Sequence, residues 1–599
     1  MSRSVSRVGL ASAIALALGA LVIAPSIAAE IPDEQVSTAF NSSGEVGYQG
    51  IIINDALNRG TKVDMFSLLS GHTDSPLGDY VCSSTKALYC KDATQFNYFA
   101  ILPPCATDAS KDCIAGVSAY RDGLLLGEGT YRETLYPDHK DAFQGDPSLK
   151  IPTPSEPSFW SIPAAAHSRG SDYLVSVGLN GVTSPKNPRA ASAFFANIYA
   201  VEKTNLNGGA DPKNVGAYGL ACEQQSFNAQ RLKVPGVVEG GQPFVQCMST
   251  LGSVNLPGNP ACLVAYNALG HCLLRDPMDA SITLKLKVRL SNEINGWIHG
   301  RLGSPEITLE SIASGGQTVT ISASALQVPI FGAGDNYLKL PAAIQSAYAE
   351  KGGLSAGMWG TANANHAEGP IANRNARSEP FPYGTDSINE LKLWLDYAGN
   401  KSLAAPTTWS LRTLDDREMQ SASPCFKQGS GLKGIVATNS TTYSDGPPEF
   451  VDGTLSYQVA SPHFLSDGAT AFKGTYNLIM RSDVARCLYK FSSAPVEAKI
   501  EVISDSGVNS VATTVVNERN GWINLSASNF EFSAPKIQVK LSQQVAPVAS
   551  APAAAASTAS APVTSAPKGA VKTISCVKGK TIKKVSGANP VCPKGYVKK

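Results

Sequence analysis

The chain has 599 residues, of which 43% are apolar and only 16% charged. An apolar share of this size supports folded cores, and the length suggests about three or four domains. The low charged share, made up by Ser, Thr, Asn, Gly and Ala, argues against a cytosolic helical enzyme and for an exported β-protein. The net charge of +2 conceals a division. Arg3 and Arg7 account for that excess, and nine lysines with no acid lie from Lys568 to the end, so the body between carries −9. Such a division speaks about partners rather than fold.

The first 29 residues read as a signal peptide. Arg3 and Arg7 form a positive start, Leu10 to Ile23 is an apolar run, and Pro25-Ser26-Ile27-Ala28-Ala29 offers small residues for cleavage after Ala28 or Ala29. That run is short for a membrane span, and no later segment is apolar for long enough. Residues 30–171 read as a β-rich domain holding four cysteines, Cys82, Cys90, Cys105 and Cys113.

From residue 172 the pattern is that of strands. Residues 281–290 alternate without a fault, with Ile282, Leu284, Leu286, Val288 and Leu290 on one face and Ser, Thr, Lys and Arg on the other. Period two with one apolar face describes a half-buried strand. Residues 172–179, 496–502 and 537–541 repeat it. Asn180-Gly181, Asp452-Gly453 and Gly446-Pro447-Pro448 read as turns. One helix is expected over 341–351, opened by Pro341 and closed by Gly352-Gly353.

An internal repeat organises this body. Asn292-Glu293-Ile294-Asn295-Gly296-Trp297-Ile298 matches Asn517-Glu518-Arg519-Asn520-Gly521-Trp522-Ile523 at six of seven positions. An alternating strand precedes each copy, and a Pro followed by an alternating strand comes after each. The Asn-Gly pair suits a tight turn and the Trp a plug for the core behind it, an architectural reading preferred to ligand stacking. Extended backwards, the match sets strand 172–179 against 390–397, Phe194–Val201 against Thr407–Leu414, and Cys222 against Cys425. Helical spacing of Leu391 and Leu395 competes there, but the repeat favours a strand. The expected plan is module A at 172–330, a bridging insertion with the helix at 331–387, and module B at 388–545. The fold class is therefore mainly β: tandem antiparallel β-sandwich modules with one short helical insertion, stapled by disulfides. A disordered Ala/Pro/Ser/Thr linker at 546–567 and a small, loose basic tail at 568–599 follow.

The tail, with Cys576-Val577-Lys578-Gly579-Lys580 and Cys592-Pro593-Lys594-Gly595-Tyr596, resembles the ends of exported actinobacterial proteins. Thr438 to Phe464 also resembles segments of their bodies. The resemblance implies a bacterial, exported setting and carries no functional residue.

Twelve cysteines in an exported chain point to disulfides. No Cys-x2-Cys pair suggests zinc. Cys425 and Cys487 are alone in module B and should pair, and the extended repeat then pairs Cys222 with Cys272 and leaves Cys247 for Cys262. A sequential reading instead joins Cys222–Cys247 and Cys262–Cys272. Equal spacing suggests Cys82–Cys90 and Cys105–Cys113, with Cys82–Cys113 around Cys90–Cys105 open as well. Cys576–Cys592 would staple the tail.

No catalytic set stands out. Gly353-Leu354-Ser355-Ala356-Gly357 fits a nucleophile pattern, but an expected helix precedes it where a strand is needed. The seven histidines are scattered, and His299 is Asn524 in the second copy. Asp415-Asp416-Arg417-Glu418 could supply paired carboxylates, yet reads better as a solvated loop. No phosphate-binding loop appears, and no cofactor, nucleotide or metal is expected. The reading is a secreted or envelope-associated, non-enzymatic binding or structural protein. Its basic tail would meet anionic cell-wall polymers or a membrane surface. The rival is a secreted hydrolase, acting on glycans, whose catalytic residues leave no local signature.

Overall fold

A computed structural model describes residues 33–35, 67–73, 79–88, 90–135, 143–205, 264–265, 271–350, 375–378, 380–490, 496–503, 509–510, 513–532, 536–543, 572–578, 581–587, 592, 594 and 596–598. The expectations for the signal peptide, for Cys222, Cys247 and Cys262, for the motif at 353–357 and for the linker lie outside these residues. Cys272 stands in strand His271–Arg275. The chain divides into two compact units, Met1–Gln544 and Val545–Lys599.

The protein is mainly β, and most described strands of the first unit lie in or pack against one long central sheet. Its path runs from Asp79–Val81 through Leu68–His72, Gln95–Ile101, Asp172–Thr183, Ala193–Asn205, Thr407–Thr413, Gly296–Arg301, Leu432–Thr438, Lys473–Arg481 and Trp522–Glu531 to Thr513–Arg519. Neighbours on this path are antiparallel except Gly296–Arg301 and Leu432–Thr438, which run parallel. Alternation divides its side chains between two cores. Ile298, Trp409, Leu411, Ile435, Ala437 and Ile479 join the core shared with a five-stranded sheet. That sheet includes Cys113–Arg121, Thr283–Leu290 and Gln317–Ser324. Trp297, Val436, Leu478, Met480, Ile523 and Leu525 point the other way, into the core beneath a six-stranded sheet containing Thr454–Ala460 and Lys536–Gln543. The two sandwiches share their middle layer.

This sharing corrects the domain plan. Residues 30–171 are not a separate domain, because Gln95–Ile101 pairs with Asp172–Thr183 and Cys113–Arg121 with Thr283–Leu290. Nor are 172–330 and 388–545 independent, since Thr407–Thr413 is inserted between Ala193–Asn205 and Gly296–Arg301. Even the turn Asp33–Gln35 is tied in: Thr407 N and Oγ1 donate to Glu34 at 3.2 and 3.3 Å.

The repeat survives as an architectural path. In the first copy the chain leaves the five-stranded sheet at Thr283–Leu290, crosses as Gly296–Arg301 and returns as Gly303–Ser311. In the second it leaves the six-stranded sheet at Val496–Ile503, crosses as Trp522–Glu531 and returns as Lys536–Gln543. The backward extension fails. Thr385–Leu395 is a helix whose Ile388, Leu391, Trp394 and Leu395 pack with Ile344 and Tyr348 of helix Ala342–Glu350. Helix is thus not confined to one insertion, and Ser482–Tyr489 adds another.

Of the turn readings, Asp452-Gly453 holds, with φ of 50° and 74° in the hairpin between Glu449–Val451 and Thr454–Ala460. Asn180-Gly181 does not, because it lies within strand Asp172–Thr183. Among the described residues four of the expected disulfides form: Cys82–Cys90, Cys105–Cys113, Cys425–Cys487 and Cys576–Cys592, with Cα separations of 5.9, 4.9, 5.8 and 5.6 Å. Cys425–Cys487 joins the short helix Pro424–Lys427 to Ser482–Tyr489 at the edge of the second core. The tail is not loose throughout: Lys572–Lys578, Thr581–Gly587 and Val597–Lys598 make a small three-stranded sheet. Among the described residues no helix is long and apolar enough to cross a membrane.

Candidate functional site

The two Asn-Gly-Trp copies have different fates. In the first, Gly296 takes φ 82°, its N–H donates to Gly431 O at 3.4 Å, and Asn295 Oδ1 accepts from Gly431 N at 2.7 Å. Trp297 is then fully buried, edge-on to Phe426 at 4.8 Å. Its ring lies where a side chain on Gly434 would be, 2.3 Å from an added Cβ, so Gly434 is glycine to admit it. In the second, Asn520 and Gly521 take φ 52° and 78° in a two-residue hairpin, closed by the Arg519–Trp522 pair. Trp522 is only half-buried and flanks the first core.

Both copies reach the same cleft. An open groove of about 680 Å³ is lined by Glu293 of the first copy, by Asn520, Gly521 and Trp522 of the second, and by Ser430, Arg481, Asp483 and Arg486. The start of helix Ser482–Tyr489 is held against the hairpin by Ser482 N donating to Gly521 O at 2.8 Å. The groove's two arginines are paired, and Glu293 and Glu310 stand on the same wall. Arg481 Nε and Nη2 donate to Asp483 Oδ1 and Oδ2 at 2.9 and 2.5 Å. Arg486 Nη2 donates to Glu518 Oε1 at 2.8 Å. Burial pushes the Asp483 carboxyl up, but hydrogen bonds and charge from Arg481 outweigh it and hold it below its ordinary range. For Glu518, burial is likewise outweighed by the hydrogen bond and charge of Arg486. Lys433 Nζ donates to Ser430 O at 2.6 Å, and burial followed by the Arg481 charge pushes its ammonium down. The cleft therefore offers a half-exposed indole face beside fixed, paired donors and acceptors.

Two further polar clusters are structural. His299 lies on the same sheet face as Trp297, Arg301 and Arg412, wholly buried beneath the six-stranded sheet. Its Nε2–H donates to Gly446 O at 3.0 Å, and Tyr443 and Tyr457 meet its ring edge-on at 4.5 and 5.9 Å. Burial, and then the Arg412 charge, hold its pKa well below the usual value, so it is neutral. Arg412 donates to both oxygens of Glu418 at 2.6 Å and lies 4.5 Å over the Tyr383 ring. This corrects the solvated-loop reading of Asp415–Glu418. Asp415 Oδ1 caps the turn by accepting from Arg417 N and Glu418 N, and Glu418 is buried. In the second cluster, His167 Nδ1 faces Asp276 Oδ2 at 2.6 Å and Nε2 faces Asp172 O at 3.1 Å. Ser168 Oγ donates to Asp276 rather than to the imidazole. Both ring nitrogens are engaged, so the trio clamps a loop and does not form a nucleophilic relay.

Sequence reasoning missed Asp276, His167, Arg412 and the cleft, because their residues converge from separate strands. The signal that could have separated the two tryptophans is the single mismatch in the repeat. Ile294 is buried in the first core, whereas Arg519 is exposed on a hairpin. Among the described residues no group of three or more His, Cys, Asp or Glu could hold a metal ion. The chain matches no protein-family model, no curated protein and no solved structure.

Proposed function

We propose that this chain is an exported, non-enzymatic binding protein of a bacterial envelope, and that the cleft formed by the two repeat copies receives a glycan. The observation that carries the reading is Trp522, half-buried at the wall of a groove whose two guanidinium groups are already paired. An indole face packs against the C–H face of a sugar ring, and paired guanidinium and carboxylate groups offer fixed donors and acceptors to hydroxyls. Hydrolysis of a glycosidic bond needs a carboxyl held protonated. Asp483 and Glu518 are both shifted the other way, so neither is held as the acid that cleavage needs.

Calorimetry of the mature full-length protein with soluble oligosaccharides tests this. Trp522→Ala is expected to weaken binding roughly tenfold or more, as loss of a central aromatic contact does. Unchanged affinity would remove the cleft from consideration, and release of reducing ends by the unmodified protein would overturn the non-enzymatic reading.

The basic tail supplies a second contact. Nine lysines on one short segment attract anionic polymers or lipid headgroups, and this attraction fades as salt shortens the Debye length, about 8 Å at physiological strength. Deleting residues 546–599 is expected to abolish salt-sensitive association with cell envelopes. Identical fractionation of the truncated and full chains would show that the tail is not an anchor.

A further inference from the structure

In the cleft, bare backbone separates two charged groups. Gly431 lines the groove there with φ of 81°, and the place of its missing Cβ lies 3.6 Å from Arg481 Nη1 and 3.8 Å from Glu293 Oε2. The positive φ favours glycine, and glycine keeps the space between the two groups open. Asn295 Oδ1 accepts from Gly431 N at 2.7 Å, which ties this backbone to the turn that carries Glu293. Glu293 is exposed and the Arg481 side chain is 35% exposed, so both are open to a ligand. Across the sheet Arg481 pairs directly with Trp522, which sets their Cβ atoms about 4.5–5.5 Å apart. Carboxylate, guanidinium and indole therefore follow one another along one stretch of the groove.

Neither polar group is used up. Arg481 commits Nε and Nη2 to Asp483, while its Nη1 has only a long bond to Ser430 O at 3.4 Å. Among the described residues the Glu293 carboxylate has no ion-pair partner, and Arg481 turns to Asp483 instead. A donor and an acceptor thus border one space without closing on each other. The Asp483 pair already fixes the guanidinium, so little of its freedom is left to lose on binding. A group that fills the space must return a hydrogen to the carboxylate and a lone pair to the guanidinium. An ammonium group has only donors and a carboxylate only acceptors. An amide has both, but on opposite edges of its plane. Neighbouring hydroxyls of a sugar ring present both side by side, toward one wall.

From this geometry we infer that the cleft reads a pair of adjacent free hydroxyls on its glycan. One hydroxyl donates to Glu293, its neighbour accepts from Arg481 Nη1, and the same chain lays a ring face on Trp522. Both bonds are charge-assisted, the stronger kind. The ligand class is thus a hexose chain whose linkages leave neighbouring hydroxyls free along its length, as 1,4 linkage does and 1,3 linkage does not. The inference rests on the glycan reading of the cleft and adds the pattern of hydroxyls that is selected.

The test compares, by calorimetry, a 1,4-linked glucose tetramer with the same tetramer methylated at its 2- and 3-hydroxyls, using the mature full-length protein, Glu293→Ala and Trp522→Ala. The unmodified protein is expected to bind the free tetramer roughly tenfold more tightly, the worth of one hydrogen bond to a charged group. Glu293→Ala should bring the ratio of the two affinities to about one. A preference that persists in Glu293→Ala overturns the inference, because methyl bulk rather than the carboxylate then sets it. A loss shared equally by both tetramers marks a merely structural role for Glu293 and also overturns it. Equal binding of both tetramers by the unmodified protein, with Trp522→Ala weakening both, overturns the diol reading and leaves the cleft standing. If neither tetramer binds, or Trp522→Ala changes nothing, the glycan reading itself falls and this inference with it.

Discussion

Trp297→Ala is expected to cost about 3–5 kcal/mol of folding stability, the usual price of emptying a large aromatic site. Trp522→Ala, in the same local sequence, should cost far less. The two indoles follow the same Asn-Gly pair, but only Trp297 is enclosed on every side, by Phe426, by the backbone at Gly434 and by the second core. The neighbouring sheet cannot close over the void, because its strands are fixed by pairing on both sides of Gly296–Arg301. Whole domains are stable by only about 5–15 kcal/mol, so the change is a large fraction of the total. Urea unfolding followed by tryptophan-independent circular dichroism measures it. Equal losses for the two variants would contradict the assignment of Trp297 to the core and Trp522 to the cleft.

The second large effect is expected at Arg412. Arg412→Ala leaves the Glu418 carboxylate, with its side chain 4% exposed, without its partner. Breaking a buried pair in this way costs about 3–5 kcal/mol, whereas replacing both members with apolar groups costs much less. The double variant Arg412→Met/Glu418→Met should therefore be more stable than Arg412→Ala, and a double variant as unstable as the single one would argue against the ion pair as the cause. The neighbouring His299 adds a pH dependence with a definite sign. Its folded pKa is depressed, first by burial and then by Arg412, so the unfolded chain binds the proton and the folded one does not. Stability from this group is full above the unfolded value of about 6.5 and falls by up to about 1.4 kcal/mol per pH unit below it. Unfolding midpoints for the unmodified protein and His299→Gln, compared from pH 7 to 5, should diverge as pH falls, with the variant losing less.

How far the sequence reveals this molecule depends on whether the deciding contact is local. Strand Thr283–Leu290 and helix Ala342–Glu350 were legible because period two and period 3.6 are properties of a short window. The local disulfides Cys82–Cys90 and Cys105–Cys113 were legible for a similar reason. Thr385–Leu395 was misread because the repeat outweighed the helical spacing of Leu391 and Leu395, which pack with Ile388 against Ala342–Glu350. Asn180-Gly181 resembles a turn, yet its glycine serves a partner 83 positions away, Tyr98. The cleft was invisible because Glu293, Arg481 and Trp522 belong to a loop and two separate strands, brought together only by the order of the sheet. The repeat did show that two copies exist; it could not show that they meet.

The place of Thr407–Thr413 between Ala193–Asn205 and Gly296–Arg301 has a consequence for the folding order. A chain that emerges N-terminus first cannot complete its middle layer by adding strands as they appear. Gly296–Arg301 has neither neighbour until Thr407–Thr413 arrives and lacks the second until Leu432–Thr438 follows. Until then its edges are unsatisfied, and apolar faces meant for two different partners stand open together, a state prone to aggregation. Closing loops of more than a hundred residues is slow, since entropy is lost before the contacts that reward it can form. Folding of the first unit is thus postponed to a single late, cooperative event.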